Sequence, residues 1–136
     1  LAAPLAAGAL ALAPGAALGT RDDVRAAGVM LRAIPEALSL MDAATGCADP
    51  ECARELHNDL VGWRNRLKNT GQMDVILRGR MSMCRWKCYN AWSSGATAVS
   101  FVANHVLRGE GELAEKAAAR GKAAFARARG ILVTCR

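Results

Sequence analysis

From Thr20 onward the apolar residues return every third or fourth position, and no stretch alternates as a half-buried strand would. That period restricts the chain to helices, and 136 residues are enough for one domain with one core. The segment RDDVRAAGVMLRAIPEALSLMDAA opens after Thr20 with Asp22 and Asp23 in its first turn, and it lines up Val24, Ala27, Leu31, Ile34, Leu38 and Met41. Pro35 should bend this first helix, because proline brings no N–H to the helical ladder. A second helix is predicted over 50–69. Asp49 suits its N-cap, Pro50 its first position and Glu51 the positive end of its dipole, while Leu56, Leu60, Trp63 and Leu67 make the apolar stripe. Asn69-Thr70-Gly71 is a stop signal.

The third helix reads as a long one, from Gln72 to the neighbourhood of Arg108, kinked or broken at Ser93-Ser94-Gly95. GEGE at 109–112 makes the next turn. The last helix, ELAEKAAARGKAAFARARGILVTC, directs Leu113, Ala117, Ala124, Phe125, Ala128 and Leu132 inward. The expected fold is all-α, an up-and-down four-helix bundle over residues 20–136 with an apolar N-terminal arm or anchor before it. That leading segment, residues 1–19, stands apart in composition: LAAPLAAGALALAPGAAL carries no charge, and Ala11-Leu12-Ala13 matches the A-x-A pattern of a signal peptidase site. As a helix it would be about 27 Å long, close to the thickness of a bilayer core. It reads as an export or organelle-targeting segment that, if retained, acts as a membrane anchor or an extended arm.

Five cysteines raise the question of staples, ligands or nucleophiles. In an antiparallel hairpin, residues equidistant from the turn lie side by side. A turn centred near residue 70 sets Cys52 opposite Cys88, and a turn centred near 110 sets Cys84 opposite Cys135. Disulfides Cys52–Cys88 and Cys84–Cys135 are therefore expected, closing loops worth about 3 to 4 kcal/mol each in the loop-entropy model and leaving Cys47 over. Zinc held by Cys47, Cys52, Cys84 and Cys88 is the sharper competitor, at spacings on the edge of the usual range. Reduced, buried thiols are the plainer one.

Other chemistry is sparse. His57 and His105 belong to no HExxH motif, no serine sits in a G-x-S-x-G elbow, and no glycine loop is built to cradle phosphate. No catalytic residue, cofactor or metal site is expected. The net charge of +6 favours acidic partners. The basic residues look scattered along helical faces, without the stacking aromatics or motifs of a nucleic-acid binder. Trp63, Trp86 and Trp92 read as core or interface anchors, and CRWKCYNAW offers an amphipathic docking face. Arg64, Arg66, Trp86, Tyr89 and Trp92 are the candidate partner-docking residues.

RELHNDLVGWRNRLKNTG, residues 54–71, resembles the asparagine-aspartate-leucine helix of the PsbQ family, the lumenal extrinsic subunits of photosystem II. The matching positions are Asn58, Asp59, Leu60, Arg64, Arg66 and Leu67, and the order and approximate lengths of the helices over residues 21–134 are similar too. The five cysteines depart from the usual family pattern. The resemblance implies a non-catalytic subunit on the lumenal side of the chloroplast thylakoid, bound to photosystem core proteins and stabilising the oxygen-evolving region, with no metal or cofactor of its own. A small disulfide-stapled accessory subunit of a mitochondrial respiratory complex or ATP synthase, at the inner membrane or intermembrane space, is the alternative. A secreted bacterial helical protein is a third reading.

Overall fold

The structure, a computed structural model, describes residues 20–134; the arm or anchor expected over residues 1–19 lies outside the described residues, as does Cys135. Helix α1 (Arg21–Ala44) begins with a capping box: the Thr20 hydroxyl accepts from the Asp23 N–H, and the Asp23 carboxylate accepts from the Thr20 N–H. Its buried stripe runs through Ala27, Met30, Ile34, Ala37 and Met41, whereas Val24, expected inside, is 43% exposed. The helix continues through Pro35. The missing proline N–H leaves the Leu31 carbonyl without its ladder donor. On either side of Leu31 an indole reaches the α1 backbone: Trp92 Nε1 donates to the Met30 carbonyl at 3.1 Å, and Trp63 Nε1 to the Ala33 carbonyl at 2.9 Å.

Helix α2 (Pro50–Asn69) is capped by Asp49, whose carboxylate accepts from the Cys52 N–H at 2.9 Å, and it buries Leu56, Leu60, Trp63 and Leu67 as expected. Gly71, with φ of 78°, ends it in the left-handed region. The expected long third helix is two helices. Helix α3 covers only Gln72–Leu77; Arg78 is extended, and Ser82 then caps helix α4 (Met83–Leu107) by accepting from the Arg85 N–H. After Leu107, the Gly109 N–H bonds the Val106 carbonyl and the Glu110 N–H the His105 carbonyl, a Schellman-type end. Helix α5 (Gly111–Thr134) follows at once. Among the described residues the fold is all-α, with five helices and no strand.

No break occurs at Ser93-Ser94-Gly95, which lies inside α4. Gly95 serves packing instead: a Cβ there would stand 2.6 Å from the Phe125 ring of α5. Gly121 answers from the other side, where a Cβ would come within 2.9 Å of Ala98 and Met41. Small residues thus let α4 and α5 make the most extensive helix contact of the fold. Ala117, Ala124, Phe125, Ala128 and Leu132 are buried as expected, but Leu113 is 46% exposed.

The helix register decides the cysteines. His57 Nδ1 lies 2.9 Å from the Ala103 carbonyl and Arg64 Nη1 donates to the Ala96 carbonyl at 3.1 Å. Both pairs are symmetric about residue 80 rather than residue 70, because α3 and the connector 78–82 intervene. Cys52 is carried past Cys88 to the far end of α4, where Cys47, Ala53 and Arg108 line one depression. The expected Cys52–Cys88 disulfide is therefore replaced by Cys47–Cys52, with Cα atoms 5.5 Å apart. Cys88 is a free, buried thiol facing the Ala128 carbonyl at 3.7 Å, and burial pushes its pKa up to about 12. Cys84 is disulfide-bonded, and its expected partner Cys135 lies outside the described residues. With Cys47 and Cys52 bonded to each other and Cys84 disulfide-bonded too, the four-cysteine zinc alternative keeps only the Cys88 thiol.

Candidate functional site

The centre of the fold is aromatic. Trp63 packs against Trp92 with ring centroids 6.1 Å apart and edge-on to Phe125 at 6.2 Å. Both indole N–H groups are already spent on α1 carbonyls, so the tryptophans are fixed in place. Tyr89 extends this cluster outward, stacked on Trp92 at 6.4 Å and 27°. It forms one wall of a groove of about 520 Å³ between α2, α3 and α4, whose other walls include Arg64, Asn65, Lys68 and Asp74.

Three of the five candidate docking residues, Arg64, Tyr89 and Trp92, meet at this groove. Trp92 contributes only an edge, being 2% exposed. Arg64 is pinned by its Nη1, which donates to the Ala96 carbonyl and to Ser100 Oγ at 3.0 Å. Arg66 points to another groove, between α1 and α2, and pairs there with Glu36. Trp86 is 52% exposed and lines neither groove. Helical spacing explains the split: residues two apart on α2 diverge by more than half a turn, so Arg64 and Arg66 cannot serve one site.

One pair was missed in the sequence. Asp23 and Arg85 are fully buried and their charged groups approach to 2.7 Å. Arg85 Nη1 also donates to the Ile76 carbonyl at 2.9 Å, and the Ser82 N–H donates to Asp23 Oδ1 at 3.2 Å. Burial by itself would raise the Asp23 pKa. The bonds from Ser82 and Thr20 and the charge of Arg85 outweigh it and hold the carboxyl below its ordinary value. The signal was available: Arg85, Cys88 and Trp92 follow each other at spacings of three and four, so a charge sits on the buried stripe of α4.

The histidines are engaged locally. His57 Nδ1 faces a carbonyl, which can only accept, so that nitrogen carries the proton. His105 bonds Glu110 at 2.9 Å, and this bond, reinforced by Arg108, lowers the Glu110 pKa. Among the described residues no group of His, Cys, Asp and Glu side chains is placed to hold a metal, and no helix is long and apolar enough to cross a membrane. Compared with models of protein families, with curated proteins and with solved structures, the chain matches none.

Proposed function

We propose that this chain is a non-catalytic docking subunit of a larger assembly, its long helices forming a four-helix bundle with α3 inserted, and that a partner seats in the groove between α2, α3 and α4. The observation behind this reading is the pairing of cations with an immobile aromatic wall. Lys68 and Arg64 border Tyr89, which rests on a Trp92 that cannot rotate away. Arginine and aromatic anchors held rigid before binding lose little entropy on docking, and such residues carry most of the energy of protein interfaces. The setting comes from residues 54–71: the lumenal side of photosystem II, with the oxygen-evolving region as the part supported.

Gentle detergent solubilisation of the native membranes, followed by identification of what copurifies, tests this. Chlorophyll-protein subunits support the photosynthetic setting, and oxidative-phosphorylation subunits replace it with the mitochondrial one. A lone chain overturns the docking reading. Lys68→Glu combined with Tyr89→Ala should weaken the association by about tenfold or more.

A further inference from the structure

Beside that groove lies a face the docking reading does not use. On α4 and at its C-cap, Asn90, Ser94, Thr97, Phe101, Asn104 and Arg108 are exposed at alternating spacings of four and three, continuing back to Trp86 and Met83. On α5, Leu113, Lys116, Arg120, Ala123, Arg127 and Gly130 are exposed with the same alternation. The stripes run side by side: Ser94, Thr97 and Phe101 share one open groove of about 450 Å³ with Arg120, Ala123 and Arg127. Arg108, Lys116, Arg120 and Arg127 make this face basic. No acidic residue occurs in α4, and none follows Glu115.

The large apolar side chains on this face do not form one continuous patch: Met83 and Trp86 neighbour each other at one end of α4, while Phe101 stands about four turns further along the same helix. Met83 is 67% exposed, Trp86 52%, Phe101 49% and Leu113 46%. Uncharged small and hydroxyl side chains separate Trp86 from Phe101. Trp86 and Phe101 are about 22 Å apart along the helix axis, so both reach a common surface only when the helices lie flat on it. A protein partner is usually met by a contiguous apolar core inside a polar rim. Widely spaced apolar tips among guanidinium and ammonium groups instead match a headgroup layer, where the tips enter the acyl boundary and the cations meet phosphates.

We propose that the α4/α5 face binds an anionic membrane surface, with Phe101 and Trp86 inserting and Lys116, Arg120 and Arg127 contacting lipid phosphates. It is independent of the groove at Tyr89 and of residues 1–19. The test is cosedimentation of the full chain with vesicles of equimolar phosphatidylcholine and phosphatidylglycerol, and with phosphatidylcholine alone. Binding is expected to the anionic vesicles at low salt and to fall as salt rises. Brominated lipid should quench Trp86, since Trp63 and Trp92 are both 2% exposed, and Trp86→Phe should abolish that quenching. Arg120→Glu with Arg127→Glu should weaken binding by about thirtyfold or more, with helix content unchanged by circular dichroism. Absence of cosedimentation overturns the proposal. So does equal binding by the doubly substituted chain, the result expected if another segment holds the lipid, and so does a bound chain whose tryptophan fluorescence is not quenched.

Discussion

Helix α4 pairs with α5 on one side and with α2 on another, antiparallel in both cases, yet the two registers are fixed by different means. Toward α5 the connection is a Schellman-type turn at Gly109 and Glu110, and the next helix starts at Gly111. So short a turn leaves little choice of register, and Gly95 and Gly121 then let the helices close on Phe125, Ala98 and Met41. Toward α2 the connection is α3 plus residues 78–82, and no turn fixes anything. The register is set instead by tertiary contacts: His57 and Arg64 of α2 bond the Ala103 and Ala96 carbonyls of α4, while the buried Asp23–Arg85 pair ties the first turn of α4 to the start of α1 and, through the Ile76 carbonyl, to α3. A helix pair joined by a tight turn takes its alignment from the distance along the chain; one joined through another element takes it from a tertiary contact.

Removing the buried pair should have the largest effect. Arg85→Ala leaves the Asp23 carboxylate buried without its cation and should cost about 3 to 5 kcal/mol, read as a lower midpoint of urea unfolding. A variant as stable as the parent would break the comparison, because the start of α4 would then be held on α1 and α3 without the buried pair. The same pair gives an acid limb to stability. The folded pKa of Asp23 is lowered, so its contribution is complete above the ordinary value of 3.8 and is lost as pH falls through the lowered one. Asp23→Asn should remove this limb from the stability profile.

On the α5 side the sharpest probe is Gly95→Ala, which sets a methyl 2.6 Å from the Phe125 ring and should cost about 1 to 3 kcal/mol. Phe125→Leu in the same chain should recover part of that loss, since neighbours that clash are not additive. This position also shows what the sequence could and could not convey. Periodicity and caps located α1, α2 and the α4–α5 turn, and the turn centre near 110 agrees with Cys88 facing Ala128. Gly95 and Gly79 are both helix-weakening glycines in one apolar-periodic stretch, and nothing local tells them apart. The difference is tertiary: an aromatic side chain claims the space at Gly95, while Ser82 bonds Asp23 and starts a new helix just after Gly79. Misplacing that break displaced the α2 register, and with it Cys52. In the candidate groove, Tyr89 and Trp92 were legible as aromatics of the one segment CRWKCYNAW and Arg64 as a basic position of the helix 54–71, but that the two helices meet there was not, and Arg85 reads in the sequence as one more basic residue.

The cysteines report the same register covalently. A Cys47–Cys52 link closes a short loop, so Cys52→Ser should cost about 2 kcal/mol, less than the long loops of a link to Cys88 would give. Non-reducing peptide mapping should recover the Cys47–Cys52 crosslink. A Cys52–Cys88 peptide would return the α2–α4 register to a turn near residue 70 and undo the comparison. Cys88 should resist alkylation in the folded chain and react once it is unfolded, because it is buried and its pKa stands at about 12.

The smallest effect separates the two connections themselves. Gly79 and Gly109 have nearly the same left-handed backbone, with φ of 73° and 74°. An alanine at either pays roughly 1 to 2 kcal/mol for that conformation. Their surroundings differ: a Cβ at Gly79 would stand 2.6 Å from Asp22 Oδ2, a side-chain tip that can swing aside, and a Cβ at Gly109 meets nothing within 4 Å. Gly79→Ala should therefore exceed Gly109→Ala by only a few tenths of a kcal/mol, and Asn should reduce both losses because it tolerates the left-handed region. The informative measurement repeats the two substitutions in a chain that already carries Arg85→Ala. If the connector 78–82 exists to deliver Arg85 to Asp23, the cost at Gly79 shrinks once Arg85 is gone, since there is no longer an alignment to spoil. The cost at Gly109 stays the same, because that turn holds its helices without help from the ion pair. Equal costs at Gly79 in both backgrounds would mean that the connector and the buried pair act separately, and that the path of the chain through residues 78–82 is not what brings Arg85 to Asp23.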